Sequence, residues 1–359
     1  MFIPLSRDAL RENLESALEH RNDTTAALSQ NTFSARYPSR PDWAVGPFED
    51  DVDLSFELAD QWHDPVGIGW TSDAIYNPSV IERDGVLHLF YRASPTKESL
   101  SSRIGSATLG ADGAWIDSPA NPQIFPTLHN ELFGCEDPKL YAAEGRWFLF
   151  YNGIFPITPE ARAKYATPVD QIGDVGCDIN VAVSDDLETW TKLGRAVDHE
   201  VSHLWAKGAV IPRNGRGEAV KFNGEYLMFL SEGCGGALQV GRSTDLVRWR
   251  FERRPYLDLA ELGGSLHEVA CAIVDDEHPE RFVLDFFYAD RNGDFAAGQA
   301  LYDTAAPFTQ RAVNSGGALA WGGMVATDRG RLFAQGWDAP AHERRIFFYR
   351  EKTNTSIAQ

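Results

Sequence analysis

Gly145-Arg146-Trp147-Phe148-Leu149-Phe150-Tyr151 is a turn glycine and an arginine followed by five consecutive large apolar residues. A short apolar run bounded by turn residues and rich in aromatics predicts a strand buried on both faces. The unit recurs at Gly85-Val86-Leu87-His88-Leu89-Phe90-Tyr91, and at Gly224-Glu225-Tyr226-Leu227-Met228-Phe229-Leu230. It returns at Glu280-Arg281-Phe282-Val283-Leu284-Asp285-Phe286-Phe287-Tyr288 and at Gly330-Arg331-Leu332-Phe333-Ala334-Gln335-Gly336-Trp337. Strand-only repeats of roughly 40–50 residues mark a propeller, one four-stranded blade per copy. Five copies predict an all-β, five-bladed β-propeller, with long insertions at residues 153–177 and 191–222.

A second signature follows two of the copies, as Val181-Ala182-Val183-Ser184-Asp185-Asp186-Leu187-Glu188-Thr189-Trp190 and Val240-Gly241-Arg242-Ser243-Thr244-Asp245-Leu246-Val247-Arg248-Trp249. Its use is structural: Asp closes a turn between outer strands and Trp packs between blades. Ahead of the propeller, Ser6 can cap a helix over residues 7–21 whose Leu10, Leu14 and Leu18 share one face. That stripe must pack on the main domain or on a second copy of the chain, so the helix is a candidate homo-oligomer contact. Polar, proline-containing residues from Thr24 to about Asp60 predict an extended arm. The expected division is helix and arm over 1–65, propeller over 66–350 and a tail over 351–359.

The 359 residues carry a net charge of −19, which argues against a nucleic-acid partner or an anionic membrane surface. No apolar run is long enough to span a bilayer. Cys135, Cys177, Cys234 and Cys271 lie far apart with no Cys-x-x-Cys pair, so neither a zinc knuckle nor a disulfide scaffold is indicated. The start, Met1-Phe2-Ile3-Pro4-Leu5, does not read as a signal peptide, and a reduced cytoplasm is the simplest compartment.

In a propeller the innermost strands line a central funnel, and function collects at their entrances. The inner-strand candidates are Tyr76–Val80, Glu136–Leu140, Lys207–Ile211, His267–Ile273 and Gly322–Ala326. They bring Asn77, Asp137, Lys207, His267 and Glu268 toward one another from different blades. Asp137 lies in Gly134-Cys135-Glu136-Asp137-Pro138-Lys139, where the proline pushes it toward an extended or turn conformation. An acid at a strand mouth is where a proton donor belongs. Carboxylates converging with amide and cationic groups suit a polyhydroxylated ligand and acid–base cleavage of its acetal.

At these residues the chain resembles glycoside hydrolase family 130, the five-bladed mannoside phosphorylases and β-mannosidases. The likeness runs from about residue 70 to 340. It is carried by Asn77-Pro78, Tyr91-Arg92-Ala93, Ser102-Arg103-Ile104-Gly105-Ser106-Ala107, Glu136-Asp137-Pro138 and the Ser184–Trp190 unit. It implies Asp137 as general acid, Asn77 and Arg92 gripping the sugar at the cleaved bond, and Asp338 holding sugar hydroxyls. Arg103, Lys207 and His267 are the remaining candidate substrate-binding residues.

Departures from the family bear on the reaction. Where phosphorylases carry an arginine for inorganic phosphate, this chain has Asp178, in Cys177-Asp178-Ile179-Asn180, and an anion there would repel phosphate. Glu232 and Glu268 match two glutamates of the hydrolytic branch and are expected to position and deprotonate water. The resulting expectation is inverting hydrolysis of a β-1,2- or β-1,4-linked manno-oligosaccharide, with no metal or organic cofactor. A phosphorylase forming mannose 1-phosphate is the alternative, with inorganic phosphate as its only co-substrate. Further rivals are a sugar-binding propeller without turnover and the arabinanase-like hydrolases, which need an aspartate where Asn77 stands. His199-Glu200-Val201-Ser202-His203 spells a zincin motif in the wrong context. Asp275-Asp276-Glu277 and Asp290–Asp294 read as solvated turns rather than calcium loops.

Overall fold

A computed structural model describes residues 41–352 apart from 65–67, 168–172, 318–321 and 341, together with positions 6, 8 and 16–19. Its sheets form the five blades that the repeats predict. Blade I runs outward through Ala74–Arg83, Val86–Ser94, Arg103–Leu109 and Trp115–Asp117. Blade II uses Gly134–Ala143, Arg146–Pro156, Val175–Ser184 and Thr191–Arg195. Blade IV uses Ser265–Val274, Arg281–Ala289, Phe295–Asp303 and Ala312–Ser315. In blade III a four-stranded sheet runs through Lys221–Phe222, Glu225–Leu230, Gln239–Ser243 and Arg250–Arg253, and Ala206–Lys207 pairs with Glu232–Gly233 in a separate two-stranded sheet.

Each aromatic repeat is the second strand of its blade, and its lack of polar alternation has a direct cause. Phe148 and Phe150 pack with Tyr226 and Met228 of blade III, whereas Leu149 and Tyr151 pack with Phe90 and Ile104 of blade I. Successive side chains enter opposite inter-blade cores, so both faces of the strand must be apolar. The Ser-x-Asp-Leu-x-x-Trp units do what their sequence suggests. Asp186 accepts the backbone N–H groups of Glu188 and Thr189, and Asp245 those of Val247 and Arg248. Trp190 meets Phe90 edge-on at 5.5 Å across blades I and II, and Trp249 meets Phe150 at 6.2 Å across blades II and III.

The arm is part of the propeller itself. Phe48–Asp50 pairs antiparallel with Arg345–Glu351 and supplies the outermost strand of blade V, beyond Gly323–Thr327 and Gly330–Gln335. Phe56–Glu57 pairs with the start of the same C-terminal strand. Chain start and chain end thus close the ring in one sheet. Phe56 is 2% exposed and lies 5.3 Å from the Tyr91 ring. Phe56→Ala is therefore expected to cost about 3–5 kcal/mol, read as a lowered melting temperature. A melting temperature within a degree of wild type would mean that the closing segment is not part of the cooperative unit.

In the N-terminal segment, Ala17 is fully buried against Leu100, Phe133, Ile154 and Cys177, whereas Leu18 is 38% exposed. Leu10 and Leu14 lie outside the described residues, as do positions 24–40 and 353–359.

Candidate active site

Blades I and II present their key residues through the same local device. The ladder skips from Tyr76 to Ser79 in one inner strand and from Glu136 to Lys139 in the other, leaving a bulge at Asn77-Pro78 and at Asp137-Pro138. Proline has no N–H for the ladder. Asn77 and Asp137 adopt left-handed backbone, with φ of 46° and 52°. Asn and Asp tolerate that region better than other side chains. The extended or turn geometry expected at Asp137 is thus a left-handed bulge, which turns both side chains toward one point. Asn77 Nδ2 donates to Asp137 Oδ1 at 2.6 Å.

Cations from two blades complete the cluster. Arg92, opposite Tyr76 in the next strand, places Nη1 at 3.2 Å from Asp137 Oδ1 and Nη2 at 2.8 Å from Glu136 Oε1. Its remaining donors go to Ser102 Oγ and the Ser99 carbonyl, and the Tyr76 ring lies 4.7 Å from the guanidinium carbon. Lys207 Nζ of blade III lies 3.3 Å from Glu136 Oε2 and 3.4 Å from Asp137 Oδ2. Burial alone would raise the Asp137 pKa, but Lys207, Arg92 and the Asn77 hydrogen bond outweigh it and bring it down to about 2. Lys207 behaves reciprocally. Burial opposes its charge, yet Glu136 and Asp137 raise its pKa well above the ordinary value.

Glu232 is the cross-strand partner of Lys207, so a third carboxylate faces the same ammonium. Glu268 is buried as the fourth residue of the inner strand of blade IV, Ser265–Val274. Gly208 makes room for it: a Cβ there would lie 2.5 Å from Glu268 Oε1, and the backbone has φ of 71°. Burial, then the Glu268 charge, push the Glu232 carboxyl up to about 7 against Lys207. Glu136, wholly enclosed, is also pushed to about 7 by burial, against Arg92 and Lys207. His267 stacks on Phe287 at 4.8 Å, and burial lowers its pKa beside Glu232, keeping the ring neutral at pH 7. Asn77, Asp137, Lys139, Asn152, Gly208 and Glu268 line one cleft at the funnel mouth.

The structure therefore gathers Asn77, Arg92, Asp137, Lys207, Glu232, His267 and Glu268. Asp338 stands at the adjoining edge of blade V, where Gln335 Nε2 and the Tyr349 hydroxyl donate to its Oδ2 at 2.8 and 3.0 Å. Arg103 is a correction. It is buried under Trp70, its guanidinium carbon 4.4 Å from that ring, and its Nη1 donates to the carbonyls of Ser101, Ser102 and Phe133. It holds the loop beneath the site rather than the site itself.

Asp178 is a second correction. Strand alternation turns its carboxylate to Asn130 Nδ2 at 3.0 Å and His199 Nε2 at 3.0 Å, with Arg195 at 3.9 Å. The neighbouring Cys177 thiol lies among the charges of Lys207 and Glu136. Repulsion of phosphate by Asp178 is thus not supported. His203 Nδ1 meets the Tyr165 carbonyl, so the two histidines of the zincin-like stretch serve different partners. Among the described residues no group of three or more His, Cys, Asp or Glu is arranged to hold a metal ion. Asp275 and Asp290 bond their own turns, and all four cysteines are free and buried. Sequence reasoning passed over Glu136, although it adjoins Asp137, and Trp337, although it adjoins Asp338.

A family model for glycoside hydrolase family 130, described as beta-1,4-mannooligosaccharide phosphorylase, matches residues 64–269. The chain is 29% identical over 96 residues to the beta-1,2-mannobiose phosphorylase of Thermoanaerobacter sp. (strain X514), covering 24% of this chain and 32% of that enzyme. It is 23% identical over 246 residues to the 1,2-beta-oligomannan phosphorylase of the same strain, covering 66% and 72%. The chain thus spans about a third of the first of these relatives and most of the second. These names favour the phosphorylase alternative over the hydrolytic expectation. A solved structure, from work in which the family "contains glycoside hydrolases that target beta-1,2 mannosidic linkages in Candida mannan", superposes with a TM-score of 0.66 at 20% identity. That match covers 90% of this chain and 99% of the other, and shares the fold. With the family model matched over more than half its length, the chain belongs to glycoside hydrolase family 130.

Proposed function

We propose that the protein hydrolyses β-mannosidic bonds of short manno-oligosaccharides with inversion, and that no metal or organic cofactor takes part. The observation that carries this reading is the pair of a buried Glu268 and a half-buried Glu232, facing Lys207, which also meets Asp137. Inversion requires an acid and a base about 6.5–9.5 Å apart with water between base and sugar. Lys207 standing between the two groups supports such a spacing. Water attacks the anomeric carbon, the pair takes its proton, and Asp137 gives a proton to the departing glycosidic oxygen. In the free protein Asp137 is ionised. A mannosyl ring laid against it expels water and puts hydroxyls in front of Lys207, and both raise its pKa. The proton can pass through a sugar hydroxyl, as the family resemblance implies.

Phosphorolysis is the second reading, favoured by the names of the curated relatives. Its difficulty is electrostatic. Arg92 and Lys207 are already paired with Glu136 and Asp137, and a phosphate would approach two further carboxylates in a site of low dielectric. The buried free cysteines fit the reduced cytoplasm proposed as its compartment. The test is to incubate the protein with β-1,2- and β-1,4-mannobiose, with and without inorganic phosphate. Free mannose in both conditions, the newly formed sugar released as the α-anomer, is the expected result. Mannose 1-phosphate appearing only with phosphate would make the protein a phosphorylase.

A further inference from the structure

Trp337 has no part in the chemistry above, yet its indole ends on the residue that holds the acid. Its Nε1–H donates to Asn77 Oδ1 at 2.7 Å, and Asn77 Nδ2 donates to Asp137 Oδ1 at 2.6 Å. An indole N–H is a donor only, so the Asn77 atom facing it must be the carbonyl oxygen. That fixes the amide orientation and presents the Asn77 NH2 group to Asp137. The indole is itself held. The Trp337 backbone N–H donates to Gln335 Oε1 at 2.5 Å, and its carbonyl accepts from Lys97 Nζ at 3.1 Å. The Lys97 ammonium lies 4.9 Å from the indole centroid and the Tyr76 ring meets it edge-on at 5.6 Å.

The two Asp137 oxygens are thereby made unequal. Oδ1 accepts from both Asn77 and Arg92, leaving no place for a proton, whereas Oδ2 faces Lys207 at 3.4 Å. We propose that Trp337 is a positioning residue: by pinning the Asn77 amide it reserves Asp137 Oδ1 as an acceptor and makes Oδ2 the atom that carries and delivers the proton. The inference rests on Asp137 being the proton donor. Removing the indole N–H frees the amide to turn its oxygen toward Asp137, which disfavours the carboxylate. The Asp137 pKa should then rise.

Trp337→Phe keeps an aromatic ring and removes the N–H. On unactivated mannobiose, kcat should fall about tenfold with KM within about twofold, and the basic limb of kcat should move up by about one pH unit. Adding Asn77→Ala to Trp337→Phe should not move that limb further, because both act on one hydrogen-bond chain. A readout independent of turnover is the carbon-13 carboxyl signal of Asp137 in the unliganded protein. Wild type should stay ionised down to pH 3, and the variant should begin to protonate above it. A shifted Asp137 titration in a protein that cleaves no mannoside would support the relay and overturn the hydrolytic reading. An unmoved titration and limb, with kcat and KM changed together, would overturn the relay and leave hydrolysis standing.

Discussion

Asp137→Asn is expected to lower kcat on unactivated β-1,2-mannobiose by about 10²- to 10⁴-fold, the usual worth of a positioned proton donor. Asparagine suits the test because it tolerates the left-handed backbone at this position, φ 52°, where alanine would add strain. The loss should be much smaller on an aryl mannoside with an activated leaving group, which departs without protonation. Equal losses on both substrates would mean that Asp137 organises the site and does not donate. Stability should move as well. The folded-state pKa of Asp137 is depressed from 3.8 to about 2. Its contribution is present above the unfolded value and is lost as pH falls through about 2. At neutral pH the variant forgoes about 2 kcal/mol. Melting curves at pH 7 therefore separate a variant that folds but lacks the donor from one that has lost the fold.

The propeller is legible in the sequence because its signal is redundant. Five aromatic runs need not each be decisive, since a strand buried on both faces leaves no alternation to misread. Closure is harder to see. Phe48 and Phe56 sit in a polar, acidic stretch, and only the partner strand Arg345–Glu351, about 300 residues away, turns them into strands. Site residues next to a backbone anomaly are legible: Asn77 and Asp137 precede prolines, Glu268 follows a break in its strand's ladder, and Lys207 precedes a glycine with φ of 71°. Arg103 and Asp178 read from sequence as facing the site for one shared reason. Their neighbourhood in sequence is that of the site, but which face of a strand a side chain takes depends on register, and one step along a strand reverses it. A charge on the wrong face is then buried and satisfied locally, Arg103 by loop carbonyls and Asp178 by His199 and Asn130. Trp337 is not legible as a site residue, because its contact with the site is a hydrogen bond to a residue 260 positions away.

Replacing Glu232 or Glu268 by glutamine is expected to cost at least about 100-fold in kcat/KM on mannobiose. The double variant should be no slower than the worse single one, because the two act as a unit. In wild type the acidic limb of kcat/KM should fall near pH 7, where burial and the Glu268 charge place the Glu232 carboxyl. The limb belongs to the pair and not to one residue. A base works only when ionised, so this limb declines below that pH, while the separate basic limb reports the proton on Asp137. Glutamine at one position removes the like charge, and whatever activity persists should show a limb displaced to lower pH. Stability runs the other way. A carboxyl whose pKa rises on folding favours the folded state at low pH, and that advantage is lost as pH climbs from about 4.5 through 7. The pair is therefore least comfortable where it is most active, and Glu268→Gln should raise the melting temperature at pH 8 while slowing catalysis. With one negative charge gone the site can also admit an anion, so azide should restore turnover to a glutamine variant and leave Asp137→Asn unrescued. A variant with full activity, an unmoved limb and no gain in melting temperature at pH 8 would mean that the water is activated elsewhere in the funnel.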